Sequence, residues 1–281
     1  MNIKPSELRS SKALSKSLDI LKGFDQLAAI GLSGSCSRQD NDDLSDLDIG
    51  VFVSEQLPVP EVRKRRYKAC GICDIAYFDV DFEVSRSDGL KVEGVDCGFI
   101  WMSLPQAKAF LNHLNDNLDC DEFLPGGLLT MKPLFDPDDV IEELKKSVPS
   151  YPENRAMHRI ESNLNKVHFL IYVLAWLEKA VLRNDYFSFL KSEYEVMDNF
   201  FTAIFALNHQ WYSDEKRLTH RIRSFDLVPR NVADRIESII MHRNSNANLE
   251  KCLQDIKRLF ADLATVSREK YPSLDLPIDW E

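Results

Sequence analysis

The pattern of apolar and polar positions divides the chain into a mixed first half and a helical second half. Residues 6–24 place Leu8, Leu14, Leu18, Ile20 and Leu21 at helical spacing and predict an amphipathic helix. Residues 27–32 form a short apolar run, read as a buried strand that stops at Ser33-Gly34-Ser35. Residues 47–53 read as a second strand. Leu47, Ile49, Val51 and Val53 share one face; Asp46, Asp48 and Gly50 share the other. Pro58 and Pro60 precede a helix over residues 61–68. Residues 75–84 predict a third strand. It sets Phe78, Val80, Phe82 and Val84 against Asp79, Asp81 and Glu83. A helix over 105–114, a turn at Pro125-Gly126-Gly127, a strand within 128–135 and a helix after Asp139 complete this half.

The stretch Val148-Pro149-Ser150-Tyr151-Pro152 marks a boundary. Beyond it, residues 155–182 and 185–208 carry long helical stripes, and shorter helices are expected near 214–224, 229–241 and 248–269. The expected architecture is α+β. A mixed sheet with helices occupies residues 1–150, and an all-α helical bundle occupies 151–281.

Composition narrows the function. A chain of 281 residues with 44% hydrophobic content can bury one large core or two modest ones. Its formal net charge of −10 argues against a protein that grips long nucleic acid through a broad basic face. The basic run Arg63-Lys64-Arg65-Arg66-Tyr67-Lys68 reads as a solvated helix face. The polar start, Met1 to Ser6, is not that of a secretory leader, and no apolar run is long enough for a bilayer. Cys70-Gly71-Ile72-Cys73 has no second cysteine or histidine pair to complete a zinc site. The six cysteines are therefore read as free thiols in a reducing cytoplasm.

The chemistry concentrates in residues 34–48. A Gly34-Ser35 turn can hold phosphate oxygens through backbone N–H groups. Asp46 and Asp48, two positions apart on a strand, point to one face and suit a divalent cation. Asp79, Asp81 and Glu83 repel one another on the face of a later strand, and a cation would relieve them. Asp81, between the other two, is the preferred third carboxylate, with Glu83 and Asp79 as alternatives. Such a set suits two-metal displacement on a nucleoside triphosphate by an acceptor hydroxyl. Arg38 and Lys216 are further cations that could touch phosphate, each with solvated readings beside them. Glu178 interrupts an apolar stripe and is read as a salt-bridge partner. His168, Trp176 and the Phe200-Phe201 pair are read as core.

Gly34-Ser35, then Ser45-Asp46-Leu47-Asp48, then an acidic strand resembles the DNA polymerase β-like nucleotidyltransferase superfamily. The resemblance is carried by about residues 28–53, more weakly to 84. The helical second half looks like that of the bacterial antibiotic nucleotidyltransferases. The segment Phe205-Ala206-Leu207-Asn208 with Tyr212 and Lys216 matches it loosely. The resemblance implies a magnesium-dependent enzyme using two ions and a triphosphate, ATP first. It would move a nucleoside monophosphate to a small hydroxyl-bearing acceptor bound between the halves. Asp46, Asp48 and Asp81 would hold metal, and Gly34, Ser35 and Lys216 the nucleotide. Protein or RNA acceptors, and a nucleotide sensor without catalysis, are the competing readings.

Overall fold

The computed structural model describes residues 5–39, 41–42, 44–169, 173–242, 246–277 and 280. The chain divides into two compact units, Met1–Pro149 and Ser150–Glu281. The first contains α1 (Pro5–Leu21), β1 (Leu27–Leu32), α2 (Gly34–Arg38), β2 (Leu47–Val53), α3 (Pro60–Ala69), β3 (Ile75–Phe82), β4 (Ser85–Val92), β5 (Val95–Ser103), α4 (Leu104–Asn112), α5 (Phe123–Thr130), β6 (Lys132–Phe135) and α6 (Val140–Ser147). Six strands form one mixed sheet in the order β3-β4-β5-β2-β1-β6. Only β2 and β5 run parallel; every other pairing is antiparallel.

The alternation in β2 determines how the sheet packs. Leu47, Ile49, Val51 and Val53 enter a core with Leu90, Val92, Phe99 and Trp101, covered by Ala13, Ile20 and Leu21 of α1 and Tyr67 of α3. Each fully buried large side chain contributes roughly 1.5–3 kcal/mol. A pair of opposite charges, Arg63 and Asp88, is buried beside this core. Asp88 on β4 is wholly inaccessible and accepts from Arg63 Nη1 at 2.6 Å, Tyr67 Oη at 2.6 Å, Trp101 Nε1 at 3.1 Å and the Asp79 N–H at 2.9 Å. A carboxylate survives burial only when bonded on this scale. Burial, then the charge of Asp88, pushes the Tyr67 hydroxyl well above its ordinary range.

The second unit contains α7 (Glu153–Phe169), α8 (Val173–Arg183), α9 (Tyr186–Leu207), α10 (Leu218–Ile222), α11 (Val232–Met241) and α12 (Asn246–Lys270). Its described residues form no strand. Phe200 packs edge-on against Phe260 with ring centres 5.3 Å apart, and Phe189 and Ile204 are fully buried. Asp185 caps α9 by accepting from the Ser188 N–H at 3.0 Å. No helix among the described residues is long and apolar enough to cross a membrane.

Three expectations are corrected, and one hairpin was not anticipated. β4 and β5 form a hairpin through Glu93 (φ 49) and Gly94 (φ 75), a tight turn that residues 85–103 did not announce. Pro125-Gly126-Gly127 lies inside α5, not in a turn, because Pro125 falls in the first helical turn, where its missing N–H costs nothing. The basic run on α3 is only partly solvated: Arg63 is buried against Asp88, and Arg66 donates to the carbonyls of Ile20 and Asp19. Trp176, expected in the core, is 46% exposed. Glu178 does form an ion pair, with Lys257 Nζ at 2.9 Å. The His168 side chain, Asp40 and Asp43 lie outside the described residues.

Candidate functional site

The site is assembled where β1 ends and β2 begins. The antiparallel register, Leu32 against Ile49, brings the residues after β1 beside those at the start of β2. The Ser33 N–H donates to the Asp48 carbonyl at 2.8 Å, and Cys36 Sγ contacts the Asp46 carbonyl at 3.5 Å. Gly34 turns the chain at φ 64, a conformation that favours glycine. There is a second reason for glycine. A β-carbon here would fall within van der Waals contact of Asp48 Oδ2. Ser33, which precedes the turn, makes no side-chain cap bond, and Ser35 is 5% exposed. The turn therefore presents mainly backbone N–H groups beside the carboxylate of Asp48.

Asp46 and Asp48 are both partly exposed, and Asp48 shares a face with Gly50. The strand next to them is β5. Leu47 pairs with Cys97 and Asp48 with Gly98. Asp96, one residue before Cys97, thus stands beside Asp46. Its side chain is 70% exposed and reaches Lys91 Nζ at 3.2 Å. Burial pushes the neighbouring Cys97 thiol up to about 11, with smaller contributions from the charges of Asp96 and Asp46. Asp96 carries a sequence signal that periodicity alone did not single out: one acid between apolar residues, Val95-Asp96-Cys97, directly after a glycine turn.

The structure does not bring Asp81 to this place. β3 is the edge strand, separated from β2 by β4 and β5, about 14 Å at the usual strand spacing. Two arginines relieve the repulsion among its acids. Arg63 and Arg86 pair with Asp79, Arg86 also pairs with Asp81, and Glu83 accepts from the Asp121 N–H at 3.1 Å. The expected alternation also breaks. Asp79 takes φ 56, the β3–β4 register shifts between Tyr77 and Val80, and Val80 and Phe82 are exposed. A cleft of about 730 Å³ lined by Pro58, Arg63, Asp81 and Arg86 lies here, at the end of the sheet away from Asp48. Lys216 belongs to the second unit, where its N–H donates to Asp214 Oδ1 at 2.9 Å. Among the described residues, no group of three or more His, Cys, Asp or Glu is placed to hold a metal by itself.

No known family profile matches the chain, and no curated protein matches it. Among solved structures, it is similar to a nucleotidyltransferase-like protein from Exiguobacterium sibiricum 255-15. The two are 11% identical with a TM-score of 0.43, over 93% of this chain and 77% of that one. A likeness at that level bears on no single residue of the site.

Proposed function

We propose that the first unit carries a metal-dependent nucleotidyltransferase centre. In this reading the protein moves a nucleoside monophosphate, AMP from ATP first, to a hydroxyl of a small-molecule acceptor. One observation carries it: Gly34, at φ 64, sits directly against the Asp48 carboxylate. A phosphate chain held by the turn lies against the acid that a metal-assisted displacement requires. The acceptor oxygen forms a bond to the α-phosphorus as the bond from that phosphorus to the bridging oxygen breaks. Pyrophosphate leaves, and the acceptor's proton passes to a carboxylate or to water.

The residues present suit magnesium. That ion is usually held by one or two carboxylates with substrate phosphates and water, not by an all-protein cage. Asp46 and Asp48 provide two carboxylates at the phosphate turn, so the absence of a three-residue cluster among the described residues is compatible with the reading. When bound, magnesium steadies the attacking and leaving oxygens. Asp96 replaces Asp81 as the nearby acid that receives the acceptor's proton, not as a third metal ligand, because its strand lies beside β2 and the strand of Asp81 does not.

The test supplies each nucleoside triphosphate with magnesium and a panel of aminoglycosides and lincosamides. Pyrophosphate and acceptor mass are both measured. The expected result is one acceptor class heavier by a nucleoside monophosphate, with equal pyrophosphate released. Failure to bind any magnesium–triphosphate complex overturns the reading.

A further inference from the structure

A row of residues crosses the sheet from the edge strand to the phosphate turn. Tyr77 on β3 pairs with Gly89 on β4, Gly89 with Gly98 on β5, and Gly98 with Asp48 on β2. The two middle positions have no side chain of their own, which leaves room over the sheet between Tyr77 and Asp48. Tyr77 lies down into this gap. A β-carbon at Gly89 would overlap its ring. One at Gly98 would lie 3.5 Å from Tyr77 Oη and 3.2 Å from Asp48 Oδ1. The hydroxyl is thus directed along the row toward Asp48, and it shares a 3.3 Å hydrogen bond with Ser87 Oγ. One ring face covers Gly89, yet the residue remains 45% exposed.

We infer that Tyr77 is a substrate-binding residue whose outer ring face stacks on the nucleobase of the donor triphosphate. The inference rests on the reading of Gly34 and Asp48 as the phosphate end of the site. A triphosphate anchored there lies at one end of the row, and its base reaches toward the other, where the Tyr77 ring covers Gly89. An aromatic ring covering a glycine is also a known way to stabilise a strand. Leucine covers the glycine with aliphatic atoms but offers no stacking face, whereas phenylalanine keeps both, so the two roles separate by substitution.

The experiment measures binding of ATP, GTP, CTP and UTP, and of inorganic tripolyphosphate, each with magnesium, to the wild-type protein and to Tyr77→Leu and Tyr77→Phe. Thermal melting confirms that the variants fold. Tyr77→Leu is expected to weaken nucleotide binding roughly ten- to hundredfold, the range for loss of one base–aromatic stack. Tripolyphosphate, which has no base, should bind unchanged, and Tyr77→Phe should bind nucleotides as the wild type does. Undiminished nucleotide binding by Tyr77→Leu overturns the stacking role and leaves the phosphate site standing. An equal loss of tripolyphosphate binding also overturns it, since the defect would then lie in the site's structure. Failure of the wild-type protein to bind tripolyphosphate and nucleotides alike overturns the phosphate reading and the stacking role together.

Discussion

At the scale of single residues, Gly34 is the most constrained position of the site, since conformation and space both demand glycine. Gly34→Ala imposes a left-handed strain of roughly 1–2 kcal/mol and drives a methyl group onto Asp48. It should lower the melting temperature and abolish triphosphate binding, read by thermal melts with and without magnesium–ATP. A different residue responds to pH. Burial holds Asp198 above the ordinary carboxylate range, while the Tyr212 hydroxyl, donating to it at 3.0 Å, acts in the opposite direction. A folded-state value raised above the unfolded one means that the folded protein binds this proton more tightly. The stability it contributes is full below about pH 3.9 and is lost as pH rises through the folded value. At neutral pH the charged side chain is therefore a cost. Asp198→Asn should raise the melting temperature at pH 7, with the gain shrinking toward pH 3. The thiols also divide by environment: Cys73 is exposed, whereas Cys97 is buried with its thiol at about 11. Iodoacetamide at pH 8 should modify Cys73 and spare Cys97, as read by peptide mass.

At the scale of elements, Asp88 joins β4 to α3, β5 and the bulged part of β3. Asp88→Ala leaves the Arg63 guanidinium buried and without this partner, a loss on the order of 3–5 kcal/mol. Urea unfolding should show it as a lower midpoint. The same elements explain what the sequence made legible. β1 and β2 match their expected spans, because an unbroken apolar run and a strict two-residue alternation each have one simple solution. β4 was hidden because Ser85, Ser87, Asp88 and Gly89 are residues of turns. Their strand role depends on Arg63, Tyr67 and Tyr77, partners distant in sequence. Within the proposed site, Gly34, Asp46 and Asp48 can be grouped from the sequence because they are close along the chain. Asp96 cannot, because it stands beside Asp46 only through a parallel pairing of strands that are not consecutive. Asp81 was grouped with them for the converse reason, and the fold places it apart. Three alternating acids resemble a metal face, and only the sheet order reveals β3 as an edge neutralised by arginines.

At the scale of the whole molecule, the net charge of −10 gives no broad basic face for a long polyanion, which is why a small acceptor is proposed. The account turns on which carboxylates act together. The most direct measurement is pyrophosphate release by the wild-type protein and by Asp48→Asn, Asp96→Asn and Asp81→Asn, under one set of triphosphate, magnesium and acceptor conditions. On the proposed reading Asp48→Asn removes a metal ligand, and metal stabilisation is worth several kcal/mol in the transition state, so its rate should fall on the order of a hundredfold or more. Asp96→Asn should fall with it, and Asp81→Asn should keep the wild-type rate. Full activity in Asp48→Asn, or loss confined to Asp81→Asn, would contradict the account.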